Sequence, residues 1–451
     1  MSLESGFFYE IMGNLPKGSS KLLNAWAFYD WANSVYSLVI ASAIFPIFYG
    51  ALTLVKDADG NIINDTVVFL GYDFNNDTLI ANVTALAFLV VSILSPLLSG
   101  IADYIGNKKM FMKFFCYLGA VSCIGLYWFS MEHLWFGLLC YFFALIGFWS
   151  SLVFYNSYLP DIAFPEQQDR ISAKGYSLGY IGSVILLIVC LAMILSYETF
   201  GFEDEGIPTR LSFILTGVWW IVFSQYTYYH LPKGNKEQKF TKGLLFNGFK
   251  ELKMIWDKLK HNLRLKRFLG AFFVYSMAVQ TIMLVATYFG IEELDWGDTD
   301  STTGLIVSIL LIQLVAVLGA FLTSRASSKF GNIRTLMALN VIWIGICAYA
   351  YTITTPEQFY VTAAFVGLVM GGIQSLSRST YSKYIPEGAL DTASYFSFYD
   401  VSEKIGIVIG MFSYGYVAQV TGSIRYAILF FIVFFVIGLL LLFRVPRNIE
   451  H

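Results

Sequence analysis

A carboxylate interrupts the first long apolar stretch of this sequence. Asp30 and Asn33 lie within AFYDWANSVYSLVIASAIFPIFYG, residues 27–50. In a helix, one face of this stretch presents Trp26, Asp30, Asn33 and Ser37. An ionisable side chain inside a membrane span is costly, and it typically faces a water-filled path or a charged partner. We therefore predict a functional charge at Asp30, and a static ion pair between helices is the structural alternative.

A second group of charges lies in the segment FYDVSEKIG, near the end of the chain. Asp400 and Lys404 have the i, i+4 spacing of a local ion pair, whereas Glu403 faces elsewhere and needs another partner. Arg378 lies near the end of the preceding apolar stretch. Counted from the span ends, these charges lie at a depth similar to that of Asp30. The pattern predicts one charge layer that either gates a cavity or holds a coupling proton, formed by Asp30, Arg378, Asp400, Glu403 and Lys404.

Composition indicates what kind of protein positions these charges. Of 451 residues, 57% are hydrophobic and 13% are charged, whereas soluble domains carry about 25% charged residues. The chain is therefore predicted to be an all-α integral membrane protein. A spanning helix needs about 20 mostly apolar residues. Twelve such spans are predicted, at residues 24–50, 82–102, 110–130, 133–157, 173–197, 210–231, 268–290, 303–324, 334–354, 358–380, 393–419 and 424–444.

A basic linker separates the first six spans from the last six. Residues 232–267 contain eleven Lys and Arg residues, and basic loops typically remain in the cytoplasm. The loop after the first span is acidic instead, with Asp57, Asp59, Asp65, Asp73 and Asp77. Both chain termini are therefore predicted to be cytoplasmic, and the polar N-terminus predicts a retained first span instead of a cleaved signal peptide.

Apolar residues recur with helical spacing inside this linker. They are Leu245, Phe249, Leu252, Trp256, Leu259 and Leu263. The pattern predicts an amphipathic helix along the inner membrane face, with docking of a partner as the alternative.

Two pairs of loop segments repeat at nearly one offset. YNSYLPD (residues 155–161) matches YSKYIPE (residues 381–387) at an offset of 226, and GIADYIGNKK (residues 100–109) matches RASSKFGNIR (residues 325–334) at 225. Each repeat contains an even number of spans, so the two halves run in the same direction. Parallel six-helix repeats are typical of transporters, with the substrate site between the halves. The predicted domains are residues 1–231, the linker 232–267, and residues 268–451.

GIADYIGNKK also resembles the loop signature of the major facilitator superfamily, which follows the second helix. AWAFYDWANSVY, GYSLGYIGSV and SLSRSTYSKYIPE are similar to a narrower branch, the vacuole-effluxer-like permeases, related to an autophagy-associated vacuolar amino-acid exporter. The resemblance covers about residues 24–420. Two positions depart from the expected pattern: Ser328 stands where the second half would carry an acid, and Ser276-Met277 replaces an acid in the seventh span.

The resemblance implies candidate residues for two further roles. In such folds the first, fourth, seventh and tenth helices line the cavity, which implies substrate-binding residues Trp31, Asn33, Tyr155, Asn156, Gln280 and Gln374. The loop acid implies an anchor for the start of the eleventh helix, where backbone N–H groups favour an anion. The implied conformational latch comprises Gly100, Asp103, Gly106, Lys108 and Lys109, and a plain role in topology is the alternative for its charges.

These features predict a secondary active transporter and not an enzyme. The four histidines and five cysteines lack metal-ligand spacing, and the sequence has neither a G-x-x-x-x-G-K-[ST] loop nor a G-x-S-x-G motif. We therefore expect no catalytic residue, metal or cofactor. The expected partners are a small solute, a proton and membrane lipids, with no nucleic acid, in a monomer of the bacterial inner membrane or, in a eukaryote, of a vacuolar or other organelle membrane. Amino acids or short peptides, moved outward, are the predicted solutes. A sugar or nucleoside permease, a transporter-fold receptor or scaffold, and a membrane enzyme are the alternatives.

Overall fold

The structure is a computed structural model that describes residues 15–56, 62–233, 244–297 and 301–446. Twelve long helices occupy these ranges, in agreement with the predicted spans. They are α1 (Ser20–Thr53), α2 (Asn76–Ile105), α3 (Lys108–Trp128), α4 (Leu134–Ile162), α5 (Pro165–Leu195), α6 (Gly206–His230), α7 (Leu263–Glu293), α8 (Ser301–Phe330), α9 (Asn332–Ala350), α10 (Pro356–Tyr384), α11 (Thr392–Thr421) and α12 (Ile424–Phe443).

Eleven of these helices are long and apolar enough to cross a membrane. The remaining one, α11, is equally long but carries Asp400, Glu403 and Lys404 within its length. Asp400 and Lys404 lie buried inside the protein, and Glu403 is partly buried. The charged residues of α11 are therefore shielded from lipid by neighbouring helices, so that α11 can be a spanning helix without an apolar composition.

The two ends of the helix bundle differ. At one end, here called the hairpin end, β1 (Val55–Lys56) pairs with β2 (Ile62–Asn64), and β3 (Thr66–Phe69) pairs with β4 (Tyr72–Asn75), both antiparallel. The sequence did not predict these strands, and two predicted loop acids, Asp57 and Asp59, lie outside the described residues. At the opposite end, here called the linker end, the chain passes from α6 to α7.

Two hydrophobic cores correspond to the two halves of the chain. One core is built almost entirely from α1 to α6, and the other is built mainly from α7 to α12. The protein is thus an all-α membrane protein of two pseudo-symmetric six-helix bundles. The exact domain boundaries stay a prediction.

The internal repeat extends into backbone detail. Gly106 and Gly331 lie at equivalent loop positions, and both have a positive φ, of 75° and 85°. At the hairpin end, Arg210 donates hydrogen bonds to two carbonyl oxygens at the end of α3, at 2.5 and 2.8 Å. Arg425 makes the same contacts with two carbonyl oxygens after α9, at 2.5 and 3.0 Å. The repeated arginines tie the last helix of each half to its third helix.

The linker helix (Leu244–His261) packs against α2, so the prediction that its apolar face lies on the membrane is wrong in part. Ile255 and Leu259 are buried in the hydrophobic core of the second half. Lys258 donates a hydrogen bond of 2.7 Å to Asp391, just before α11. The helix therefore contacts both halves, and linker residues 234–243 lie outside the described part of the chain.

Candidate functional site

A buried ion pair joins the two halves of the protein. Arg378 of α10 donates a hydrogen bond from Nη2 to Oδ2 of Asp30 in α1, at 3.1 Å. Arg378 is 2% exposed and Asp30 is 4% exposed. The hydroxyl of Tyr155 in α4 donates to the same carboxylate oxygen at 2.9 Å. The carboxylate at Asp30 therefore has both a charged partner and a neutral donor.

Arg378 is held on several further sides. Its Nε donates to Ser172 Oγ at 2.9 Å, its Nη2 donates to the Ser172 carbonyl at 3.0 Å, and its Nη1 donates to Asn156 Oδ1 at 3.3 Å. The guanidinium carbon lies 4.2 Å from the centre of the Tyr176 ring, a cation–π distance. Three helices of the first half, α1, α4 and α5, thus contact this arginine, and Asp30 is the only counter-charge among the contacts described.

Close packing positions these groups. Trp26 donates to the Tyr155 carbonyl at 2.9 Å, and its ring stacks on the Tyr155 ring at 4.6 Å. Gly175 of α5 leaves the space that the ion pair occupies, because a β-carbon there would lie 2.4 Å from Asp30 Oδ2. At Gly175 the group that packs against α5 is therefore the ion pair itself.

A second buried charge cluster lies within α11. Lys404 pairs with Asp400 and with Glu403, each at 2.9 Å. The Asp400–Lys404 pair is the one that the i, i+4 spacing predicts. Glu403 also accepts a hydrogen bond of 2.7 Å from Gln280 of α7. Across the interface between the halves, the Lys404 ammonium lies 3.6 Å from the ring centre of Trp149 in α4.

Tyr176 connects the two clusters. Its ring lies against Arg378, and its hydroxyl is within electrostatic reach of Asp30 and Glu403. The predicted charge layer is therefore two adjacent clusters. The sequence did not single out Tyr176, Ser172 or Trp149, because an aromatic or hydroxyl residue in a span is ordinarily a packing residue.

The six predicted substrate-binding residues do not form one group. Tyr155 and Asn156 belong to the Asp30 cluster, and Gln280 belongs to the Lys404 cluster. Gln374 accepts a hydrogen bond of 2.9 Å from the Tyr180 hydroxyl, across the two halves. The Trp31 ring stacks on Trp219 of α6 within the first half, 5.4 Å between centres.

Asn33 is the sixth of these residues, and it is 1% exposed. Its side-chain oxygen accepts a hydrogen bond of 3.3 Å from Ser34. Its side-chain nitrogen is buried without a hydrogen-bond partner among the described residues. An unpaired buried amide is costly. The indole nitrogen of Trp31 is likewise buried without a hydrogen-bond partner among the described residues, so two of the six present an unused donor.

The predicted latch lies at the linker end. Asp103 at the end of α2 accepts hydrogen bonds from the backbone N–H groups of Ala393 and Ser394, at 3.2 and 2.6 Å. This is the anchor at the start of α11 that the resemblance implies. Gly106 ends α2 in its left-handed conformation, and Gly100 is buried within α2.

The two latch lysines have different partners. Lys108 pairs with Asp161 and donates to the Thr392 hydroxyl at 2.8 Å, which reaches the second half. Lys109 donates to the Leu231 carbonyl at 2.7 Å and stays within the first half. Lys108 can therefore contribute to a contact between the halves, whereas Lys109 holds the end of α6.

A second contact at the linker end was missed from the sequence. Asp169 at the start of α5 pairs with Lys383 at 2.6 Å. It also accepts hydrogen bonds from Ser327 at 3.0 Å and from Asn332 at 2.9 Å. The repeat had left an unfilled acidic position at Ser328, and Asp169 supplies an acid there from the other half. The missing acid at Ser328 was the feature of the sequence that could have indicated this contact.

Comparison with known proteins agrees with this architecture. The family described as "Vacuole effluxer Atg22 like" matches residues 18–449. An uncharacterized MFS-type transporter, YxiO of Bacillus subtilis, is 32% identical over 96% of this chain and 97% of its own length. The chain belongs to the Atg22-like vacuole effluxer family. Autophagy-related protein 22-2 of Emericella nidulans is 28% identical, over 62% of this chain but only 51% of its own length.

Solved structures show the same fold. The fucose:proton symporter FucP of E. coli superimposes with a TM-score of 0.67 over 95% of this chain and 98% of its own, at 14% identity. This Atg22-like protein is accordingly a membrane transporter of the major facilitator superfamily. Within the described residues, no group of His, Cys, Asp and Glu side chains is arranged to hold a metal ion.

Proposed function

We propose that this transporter exports amino acids or short peptides by alternating access, driven by a proton gradient. The observation that carries the proposal is the Asp30–Arg378 ion pair, which is buried and joins the two halves. An α-amino acid carries one ammonium and one carboxylate group. Each group can replace one member of the pair, with the carboxylate on Arg378 and the ammonium on Asp30.

The contacts between the halves support a cycle that opens and closes the linker end. They include Asp103 with Ser394, Asp169 with Lys383, Ser172 with Ser375, and Arg378 with Asp30. These contacts lie in the linker-end half of the helices. The described conformation is therefore the one closed at the linker end, and rocking of the halves breaks this set of contacts together.

Asp30 is the proposed proton-coupling residue. In the closed conformation Arg378 stabilises its charged form. When the halves separate, the arginine withdraws with α10, and a proton can neutralise the carboxylate in its place. Asp400 and Glu403 are the reserve candidates, because Lys404 balances only one of their two charges.

The proposed orientation places the linker end in the cytoplasm. The linker and the loops at this end carry most of the basic residues, and basic segments are retained on that side. Both termini are then cytoplasmic. The proposed location is the bacterial inner membrane, or a vacuolar or other organelle membrane in a eukaryote.

The coupling role is tested with Asp30→Asn, which keeps the shape of the side chain but cannot titrate. Protein reconstituted in liposomes is assayed for uphill amino-acid transport with and without a pH gradient. We expect uphill transport to disappear while exchange of solute without a gradient remains. A folded mutant with uphill transport and unchanged dependence on the pH gradient contradicts the proposal, and low thermal stability with ordinary pH dependence supports a purely structural role.

The substrate class is tested separately by thermal-shift measurements on the purified protein. Amino acids, short peptides, sugars and nucleosides are compared at matched concentrations. Stabilisation by zwitterionic solutes that is lost in Arg378→Met supports the proposed class. Stabilisation by sugars or nucleosides alone contradicts it.

A further inference from the structure

The linker helix has three distinct faces. Successive residues of a helix lie about 100° apart around its axis. Ile255 and Leu259 therefore share one face, and they are 0% and 4% exposed because they pack into the hydrophobic core of the second half. A second face is centred about 110° away. It contains Phe249, Lys253, Trp256 and Lys260.

The second face, here called the Phe-Lys-Trp-Lys stripe, is exposed although half of it is aromatic. Phe249 is 62% exposed and Trp256 is 44% exposed. Lys260 places its ammonium 5.3 Å from the centre of the Trp256 ring, and its only ion pair among the described contacts is a 3.8 Å approach to exposed Asp257. Large aromatic side chains and exposed lysine side chains thus alternate along one line.

The third face of the linker helix is different in composition. Continuing around the helix, it carries Lys250, Met254, Asp257 and His261. It has no aromatic side chain other than the histidine. The helix is therefore divided into a face on the protein, an aromatic and basic stripe, and a polar face suited to water.

The position of the helix places the stripe at the edge of the membrane-spanning bundle. Lys258 is bonded to Asp391, which directly precedes α11, and the stripe's own Trp256 ring lies 5.5 Å from the ring of Phe398 in the first turns of α11. The stripe thus lies beside the ends of spanning helices. A lipid headgroup layer has two components, the apolar boundary between glycerol and acyl chains and the charged phosphates. Beside the helix ends, aromatic rings match the first component and lysines match the second.

We propose that the Phe-Lys-Trp-Lys stripe is a docking surface for anionic phospholipid headgroups. Phe249 and Trp256 insert at the level of the headgroups, and Lys253 and Lys260 bind the phosphates. An acidic protein segment would satisfy the lysines but would leave the exposed rings without an apolar partner. Lipid binding at the stripe does not depend on which solute is transported or on proton coupling.

The lipid site also has a consequence for conformation. The same helix contacts α2 of the first half and Asp391 of the second half. A lipid that holds the helix in place therefore favours the conformation closed at the linker end, because only there are both contacts made together. Anionic lipid is expected to stabilise the protein more than zwitterionic lipid does.

The test is a thermal-stability titration of the full-length protein in detergent. Phosphatidylglycerol is compared with phosphatidylcholine and with a polyglutamate peptide. For the wild type, we expect phosphatidylglycerol to raise the melting temperature, and we expect neither phosphatidylcholine nor polyglutamate to do so. In Lys253→Gln/Lys260→Gln the half-saturating lipid concentration should rise about 25-fold, since each lysine near an anionic surface contributes about 1 kcal/mol, equal to about fivefold.

Matched variants distinguish lipid binding at the stripe from a general effect of positive charge. Lys250→Gln removes one charge from the polar face and should leave the titration unchanged within about twofold, whereas Lys253→Gln alone should weaken it about fivefold. Trp256→Ser should weaken it without altering charge. Equal effects of Lys250→Gln and Lys253→Gln overturn the proposal, as does stabilisation by polyglutamate or by phosphatidylcholine that equals stabilisation by phosphatidylglycerol.

Discussion

The two buried charge clusters differ in how they relate to the interface between the halves. Asp30 and Arg378 come from opposite halves, so their ion pair lasts only while the halves are together. Asp400, Glu403 and Lys404 all belong to α11, so their ion pairs are carried along when that half moves. The contact of Lys404 with the first half is the cation–π contact with Trp149.

This difference separates two uses of buried charge. Breaking a buried ion pair by removing one partner costs about 3–5 kcal/mol. A cost of that size placed across the interface biases the conformational equilibrium, whereas the same cost inside one helix mainly changes the stability of its half. The first cluster is thus suited to conformational coupling and the second to holding α11 together within the bundle.

The largest effect is expected for Arg378→Met. The variant leaves Asp30 without its counter-charge and removes the contacts with Ser172 and Asn156. Because these contacts exist only in the closed conformation, the ratio of closed to open protein should fall at least tenfold, a change of about 1.4 kcal/mol or more. The measurement is a spin-label distance distribution between exposed positions 170 and 387, one in each half at the linker end.

The native cysteines favour this labelling experiment, since all five are buried. An unchanged distance distribution in a folded Arg378→Met protein would show that the ion pair does not hold the halves together. The double variant Asp30→Asn/Arg378→Met removes both charges, and it should recover part of the closed population because no uncompensated charge remains.

A smaller and different effect is expected for Lys404→Met. The variant removes the cation that pairs with buried Asp400 and with partly buried Glu403, and the loss should cost about 1–3 kcal/mol of unfolding free energy. The melting temperature should fall while the label distances stay as in the wild type. If the distances lengthen as much as in Arg378→Met, the proposed contrast between the clusters is wrong.

Sequence reasoning was successful where local spacing carries the information. The twelve helices, the repeat and the Asp400–Lys404 pair all follow from patterns within about 30 residues, or from two similar segments. The anchor at the start of α11 came from the resemblance of its loop to the superfamily signature. The partner of Asp30 does not, because Arg378 lies 348 residues away and Lys404 was an equally acceptable cation. The direction of Trp31, on the side of α1 that packs against α6, likewise depends on packing between helices.

The linker helix shows a further limit of pattern reading. Its helical period was visible in the sequence, but a period does not say which surface covers the apolar face. The same limit hid the pairing of Asp169 with Lys383, since an isolated acid at the start of a helix is ordinarily a favourable charge at the helix N-terminus. Only the empty acidic position at Ser328 indicated that the second half obtains its carboxylate from elsewhere.

The smallest effect is expected where the two linker-end contacts are compared. Asp169→Asn keeps an acceptor for Asn332 but loses the ion pair with Lys383, whose side chain is 21% exposed. Solvent reduces the value of such a pair to about 1 kcal/mol, so the closed population should fall about fivefold in the same distance measurement.

Asp103→Asn still offers an acceptor to the N–H groups at the start of α11, and losing the charge there should cost about 0.3–1 kcal/mol. The expected order is therefore a larger opening in Asp169→Asn than in Asp103→Asn, with an additive effect in the double variant because the two contacts join different helices. The reverse order would mean that α11 and α2, and not α5 and α10, carry the main closing contact.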